Sequence, residues 1–134
     1  MKKMSMYAVL AVGLLMAGGA AFAHHGFQVA YDTANPITKT GTVTHLQWTN
    51  PHCQVYMDVK NSDGSVTNWG IEMTNPRSLV RMGINPAMFP EGKVVEIKFS
   101  PSRSGANRGL VKQVKVDGKP MFDERRAQDD LYAK

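Results

Sequence analysis

The four histidines are the residues whose type and spacing could do chemistry. All lie in the first part of the chain, as His24, His25, His45 and His52. A histidine at a free N-terminus can chelate one metal ion through its α-amine and its imidazole Nδ1, and a second imidazole opposite completes a set of three nitrogens. Such a set suits Cu(II) in tetragonal geometry. We therefore predict a copper site that includes His24.

The segment before His24 decides whether that histidine has a free amine. Residues 1–23 begin with Lys2 and Lys3, continue as an apolar run over residues 7–18 and end in Ala21-Phe22-Ala23. This order is typical of a cleavable secretory signal peptide, because an apolar run of about 12 residues is too short for the roughly 20 that span a bilayer. We expect export to the periplasm, with release outside the cell left open, and His24 as the first mature residue.

The predicted metal site has three further members. His25 follows His24 directly, and His52 comes after the turn signal Asn50-Pro51, where a strand should begin. Glu72 falls near the end of a later strand, and we expect it close to His52, either as a ligand or as the hydrogen-bond partner of a ligand. The alternative is that the histidine pair is a solvated chain end and that His52 only caps its turn.

Charge and length limit the classes of protein to which this chain can belong. Removal of residues 1–23 leaves 111 residues, enough for one domain with a single core. The mature chain then has 14 basic residues against 11 acidic ones, a formal charge of +3. This excess is small and dispersed, whereas nucleic-acid-binding domains cluster their basic residues, so we expect no nucleic-acid partner. Four basic residues are expected on a solvated face: Arg103, Arg108, Lys112 and Lys115.

Cys53 is the only cysteine, so no disulfide can form within the chain. The domain must be stabilised by packing. A small buried apolar role is the expectation for Cys53, with an intermolecular disulfide or a ligand role as alternatives.

Strand signals dominate the mature chain. We predict strands at residues 37–48, 52–59, 66–73, 93–99 and 110–116, and a short helix that begins at Asn75-Pro76 and ends at Gly83. A bulge between Val43 and Leu46 would repair the alternation of the first strand. Five strands with one short helix between the third and the fourth is the order of an OB-type barrel. We therefore predict an all-β fold, a small five-stranded OB-like barrel, with a small β-sandwich as the alternative.

The domain organisation follows from these elements. The signal peptide covers residues 1–23, an N-terminal arm residues 24–36, the barrel residues 37–122 and a charged C-terminal tail residues 123–134. His45 lies within the first strand among Thr and Gln, and we expect it to face solvent.

Several stretches carry a resemblance to a known family. They are His24-His25-Gly26-Phe27, Gly41-Thr42-Val43, Trp48-Thr49-Asn50-Pro51-His52, Asp63-Gly64, Trp69-Gly70-Ile71-Glu72 and Gly92-Lys93-Val94-Val95. Together they resemble the DUF6152 family of small secreted bacterial proteins of unknown function, over nearly the whole mature chain. Gly26 stands where that family typically has Ser. The resemblance implies a secreted β-domain and transfers no activity.

The sequence contains no catalytic pattern such as His-Glu-x-x-His, Gly-x-Ser-x-Gly or Cys-x-x-Cys. We therefore expect a non-catalytic binding protein that holds a small ligand or an envelope protein at the barrel rim. Copper is the candidate cofactor, bound by His24, His25, His52 and Glu72. The alternatives are a copper-dependent redox enzyme and a purely structural or protein-interaction module. No stable membrane insertion is expected after signal cleavage, and the oligomeric state stays open.

Overall fold

A computed structural model describes residues 29–124 of the chain. The predicted signal peptide, residues 24–28 of the arm with His24 and His25, and residues 125–134 of the charged tail lie outside these residues. The chain divides after Ala30 into two units, and every named element lies in the second. The elements are β1 (Ile37–Gln47), β2 (Gln54–Lys60), β3 (Val66–Glu72), helix α1 (Pro76–Arg81), a 3-10 turn (Pro86–Met88), β4 (Val94–Pro101), β5 (Arg108–Val116) and β6 (Lys119–Asp123).

The first five strands close into a barrel. β1 pairs antiparallel with both β2 and β4, β2 pairs with β3, and β4 pairs with β5. The ring closes through a short parallel pairing of β3 with β5, in which Gly70 lies opposite Arg108 and Glu72 opposite Leu110. α1 lies between β3 and β4 in the chain. The OB-like barrel predicted from the element order is therefore confirmed, and the sandwich alternative is wrong. No helix within residues 29–124 is long and apolar enough to cross a membrane.

β6 is a strand that the sequence did not indicate. It forms a hairpin with β5, with Val116 opposite Lys119 and Val114 opposite Phe122. Pro120 makes this strand hard to predict from the sequence, because proline has no backbone N–H to donate to a β-ladder. An edge strand tolerates this loss, and among the described residues β6 pairs only with β5.

β2 shows most plainly how the strands fill the barrel. Val55, Met57 and Val59 alternate inward and are buried. Cys53, just before the strand, is also fully buried, and burial raises the pKa of its thiol. The structure thus places this cysteine in the core, as expected. The remaining core comes from the other strands and from the segment between β3 and β4: Val43, Ile71, Met73, Leu79, Ile84, Phe89, Val95, Ile97, Phe99, Val111, Val114 and Val116.

The predicted bulge in β1 is present. The register against β2 shifts between Val43 and His45, so that Val43 is buried while His45 faces solvent. Gly41, two residues earlier, lies against the neighbouring strand, because a Cβ there would be 2.8 Å from the carbonyl oxygen of Asp58. The bulge and the glycine together let β1 bend around the core while pairing on both edges.

The helix begins and ends where the sequence indicates. The side chain of Asn75 accepts a hydrogen bond from the backbone N–H of Ser78 at 2.9 Å, and Pro76 occupies the first turn. Gly83, with φ of +79°, follows the last turn. Leu79 is the buried residue of this helix and anchors it to the core.

Removal of the Asn75 cap should weaken the domain. We expect Asn75→Ala to lower the free energy of unfolding by about 1 kcal/mol, because one N-terminal backbone N–H loses its acceptor. Urea denaturation of the variant checks this value. Asn75→Ser retains a capping oxygen and should stay near the wild type; equal loss in both variants would contradict the capping role.

Gly109 allows the barrel to close against an aromatic side chain. A Cβ at this buried position of β5 would lie 2.1 Å from Cδ2 of Phe99. The Phe99 ring in turn packs against Trp69 at 5.1 Å between ring centroids. Any side chain at position 109 must therefore displace the aromatic pair at the β3–β5 junction.

Gly109→Ala should accordingly destabilise the fold. We expect a loss of about 2 kcal/mol, typical of overpacking in a well-packed core. The companion substitution Phe99→Leu shortens the obstructing ring. A double-mutant cycle in urea should then show that Gly109→Ala costs less when Phe99→Leu is already present. Simple additivity of the two changes would contradict the proposed clash.

Candidate functional site

Glu72 joins two other side chains at one end of β3. Its Oε1 lies 2.7 Å from Nδ1 of His52, and its Oε2 accepts a hydrogen bond from the Tyr31 hydroxyl, also at 2.7 Å. We call these three residues the rim cluster. Both carboxylate oxygens are thus engaged, one by an imidazole and one by a phenol.

His52 is positioned by the loop that joins β1 and β2. The loop contains a cis peptide bond between Asn50 and Pro51. Beyond it, the backbone of Cys53 donates to the Thr74 carbonyl at 3.1 Å and accepts from Met73 at 2.8 Å. These bonds continue the β2–β3 ladder past its last strand pair and hold His52 beside the end of β3. The His52 side chain is 40% exposed, so the ring reaches solvent at the rim.

Tyr31 is brought to Glu72 by contacts with the end of β4. Tyr31 forms an isolated antiparallel bridge with Ser102, and the next residue, Asp32, donates its backbone N–H to the Pro101 carbonyl at 2.8 Å. The sequence did not point to Tyr31, because it stands in a segment with no periodicity. Its hydrogen bond joins residues 41 positions apart.

The surroundings of Tyr31 keep its hydroxyl protonated. Burial, followed by the hydrogen bond to Glu72 and the negative charge of that carboxylate, raises the pKa of Tyr31 to about 12, while Arg108 opposes the shift. The phenol therefore serves as a donor at every physiological pH. Glu72 correspondingly acts as the acceptor that fixes the ring.

The raised pKa of Tyr31 predicts a specific alkaline transition. Because the folded protein holds this proton more tightly than the unfolded chain does, the stabilisation is complete below pH 10 and is lost as the pH rises from 10 to about 12. We expect the ultraviolet titration of tyrosinate to show a late step near pH 12. Tyr31→Phe should remove that step and should flatten the loss of stability in this pH window. A late step of unchanged size in Tyr31→Phe would contradict the assignment.

The structure brings together two of the four residues predicted to hold a metal. His52 and Glu72 are direct neighbours, whereas His24 and His25 lie outside the described residues. His45 is exposed, as expected, and its ring lies 5.9 Å from that of Tyr56. Within residues 29–124 there is no group of three or more His, Cys, Asp or Glu side chains that could hold a metal ion. Any metal at the rim cluster would need ligands from elsewhere.

A second candidate is a cleft of about 200 Å³ beside β5 and β6. Its lining is Thr33, Pro36, Lys98, Lys112, Gln113, Asp123 and Glu124. The polar groups of this cleft largely bind one another. Lys112 lies 2.6 Å from Glu124, and Gln113 donates to Asp123 at 2.7 Å. This mutual pairing leaves the cleft a weaker candidate than the rim cluster.

Comparison with known proteins identifies one matching family. The model of a family of unknown function, DUF6152, matches residues 11–113, which include the barrel from β1 into β5 and all three residues of the rim cluster. A search of curated proteins gave no match. Neither result assigns an activity to this chain.

Proposed function

We propose, for a chain that belongs to the DUF6152 family of unknown function, that it is an exported copper-binding protein. In this proposal His52 is a ligand, and His24 and His25 of the mature N-terminus supply the others. The observation that carries it is the short contact between His52 and a carboxylate that Tyr31 also holds.

The contact supports a metal-binding role for His52. Its Nδ1 lies 2.7 Å from Oε1 of Glu72, so a proton on Nδ1 would face the carboxylate and Nε2 would be the ring nitrogen that binds a metal. Histidine ligands of metals commonly donate their other ring N–H to a carboxylate in this way, which fixes the tautomer and the ring plane. The pairing therefore supports Nε2 as the ligand atom.

Glu72 fits a supporting role better than a ligand role. A metal at Oε1 would compete with the 2.7 Å contact to Nδ1 of His52, and a metal at Oε2 with the 2.7 Å hydrogen bond from Tyr31. With both contacts retained, the carboxylate stays beside the imidazole. Of the two roles that the sequence left open, we favour the partner of a ligand.

The N-terminal histidines are the chemically suited source of further ligands. If cleavage follows Ala23, His24 offers both an α-amine and an imidazole, and His25 offers a second imidazole. His24 is seven residues from Tyr31 in the chain, a reach of at most about 25 Å. A set of nitrogen ligands of this kind favours Cu(II) over the harder cations that prefer oxygen.

Substitutions at the rim cluster test the role of His52. We expect His52→Ala to weaken Cu(II) binding by at least about 100-fold and Glu72→Gln by about 10- to 100-fold, because one removes a ligand and the other its orienting partner. Competition with a copper chelator measures affinity, and electron paramagnetic resonance reports the nitrogen ligands. His45→Ala is the matched control, since it removes an exposed histidine of the same barrel. Equal effects of His45→Ala and His52→Ala would refute the assignment.

An extended N-terminus tests the other half of the ligand set. Exported protein is first examined by mass spectrometry for a terminus at His24. One extra residue ahead of His24 should then sharply weaken Cu(II) binding, because the amine no longer forms a chelate ring with the imidazole. Unchanged binding by the extended protein would rule out the amine chelate.

A further inference from the structure

The outer surface of β1–β3 carries a continuous set of polar and aromatic side chains. Successive side chains of a strand point to opposite faces, so the residues that alternate with the core face outward. We define the outer face by Thr42, Thr44 and His45 of β1, Gln54, Tyr56 and Asp58 of β2, and Asn68 and Gly70 of β3. Strand register places Tyr56 between His45 and Gly70, and Asp58 between Thr42 and Asn68.

Tyr56 forms an aromatic platform at the centre of this face. Its ring lies against the β3 backbone, since a Cβ on Gly70 would be 3.1 Å from Cε1 and 3.4 Å from Cδ1 of the ring. The Tyr56 hydroxyl donates to Oε1 of Gln54 at 2.8 Å. The His45 ring lies 5.9 Å away between ring centroids, at an interplanar angle of 32°. The Tyr56 side chain is half-buried, so it rests on Gly70 while part of it reaches solvent.

Hydrogen bonds fix the polar side chains around the platform. Asn68 Nδ2 donates to Asp58 Oδ1 at 2.8 Å and to Thr44 Oγ1 at 3.1 Å. These bonds leave further hydrogen-bonding capacity: the amide N–H groups of Gln54, the amide oxygen of Asn68 and the second oxygen of Asp58. Side chains already held in place lose little entropy when a ligand binds.

We propose that the outer face binds a neutral oligosaccharide, with Tyr56 as the stacking surface for a sugar ring. Sugars present C–H groups on one ring face and hydroxyls around the rim, which match an aromatic plane framed by amides and a carboxylate. Gln54, Tyr56 and Asp58 span roughly 14 Å along β2, enough for a short oligosaccharide.

Charge and topology disfavour other ligand classes on this face. OB-type barrels bind oligonucleotides as well as oligosaccharides on the surface of their second and third strands. A polyanion, however, needs clustered basic residues, whereas the outer face bears the carboxylate of Asp58 with that of Glu72 beside it. A peptide strand would need an open backbone edge, and β2 has a strand on each side.

The test is an NMR titration of the isotopically labelled full chain with chitotetraose and with cellotetraose, in EDTA. Chelation keeps the outcome independent of the copper proposal. We expect chemical-shift changes centred on β1–β3 with either sugar. Tyr56→Ala should weaken binding by at least about tenfold, whereas Tyr56→Phe, which keeps the ring, should stay close to the wild type. Lys115→Ala on the exterior of β5 is the control and should leave binding unchanged.

Several results would overturn the proposal. They are the absence of shift changes with both sugars up to about 10 mM, changes centred away from β1–β3, or equal affinity of wild type and a folded Tyr56→Ala. If Tyr56→Ala does not fold, the exposed residue Asn68 provides the decisive variant: Asn68→Ala should weaken binding, and unchanged affinity would count against the outer face. Shifts on β1–β3 with heparin but with neither sugar would instead indicate a polyanion site.

Discussion

The parallel contact between β3 and β5 is the constraint on which the rest of the molecule depends. It spans three residue pairs, yet it turns an open sheet into a barrel. Two glycines lie in it, Gly70 on β3 and Gly109 on β5, and each is overlain by an aromatic ring from a neighbouring strand. Side chains at these positions would meet Tyr56 on the outside and Phe99 on the inside. Closure is therefore tied to aromatic packing on both surfaces of the wall.

The same contact assembles the rim cluster. Because β5 begins beside the end of β3, the loop between β4 and β5 lies next to that end. Ser102 in this loop pairs with Tyr31, and the Tyr31 hydroxyl then reaches Glu72. His52 arrives from the opposite side, through the continuation of the β2–β3 ladder. Glu72 thus joins a segment before the barrel to a loop within it, through the hydrogen bond from Tyr31 and the contact with His52.

The features that the sequence predicts are those specified by neighbouring residues. The alternation of β2, the bulge after Val43, the Asn75 cap and Gly83 each rest on a few adjacent positions, and the structure contains all of them. The proximity of His52 and Glu72 could also be predicted from the sequence, since two strands joined by a hairpin place their outer ends together. The order of strands and helix was sufficient to indicate the barrel.

Features that join distant parts of the chain could not be predicted in this way. Tyr31 has no periodic context, and only the folded position of Ser102 brings it to Glu72. Gly109 stands just before the fifth strand predicted at residues 110–116, although in the structure it makes room for the Phe99 ring on the neighbouring strand. β6 could not be predicted because it contains Pro120, and proline is uncommon within strands. In each case the deciding neighbour lies on another element, and nothing local specifies it.

The rim cluster and the outer face are adjacent, but different side-chain contacts hold their residues in place. Gln54 and Glu72 are opposite each other in the β2–β3 ladder, so the two proposed sites meet at this pair. Glu72 directs its oxygens to His52 and Tyr31, whereas Gln54 accepts from Tyr56. The contacts of Glu72 therefore do not include the hydrogen bond of Tyr56. Because the two side-chain networks on this ladder share none of these contacts, the proposed metal site and the proposed sugar site can be altered separately.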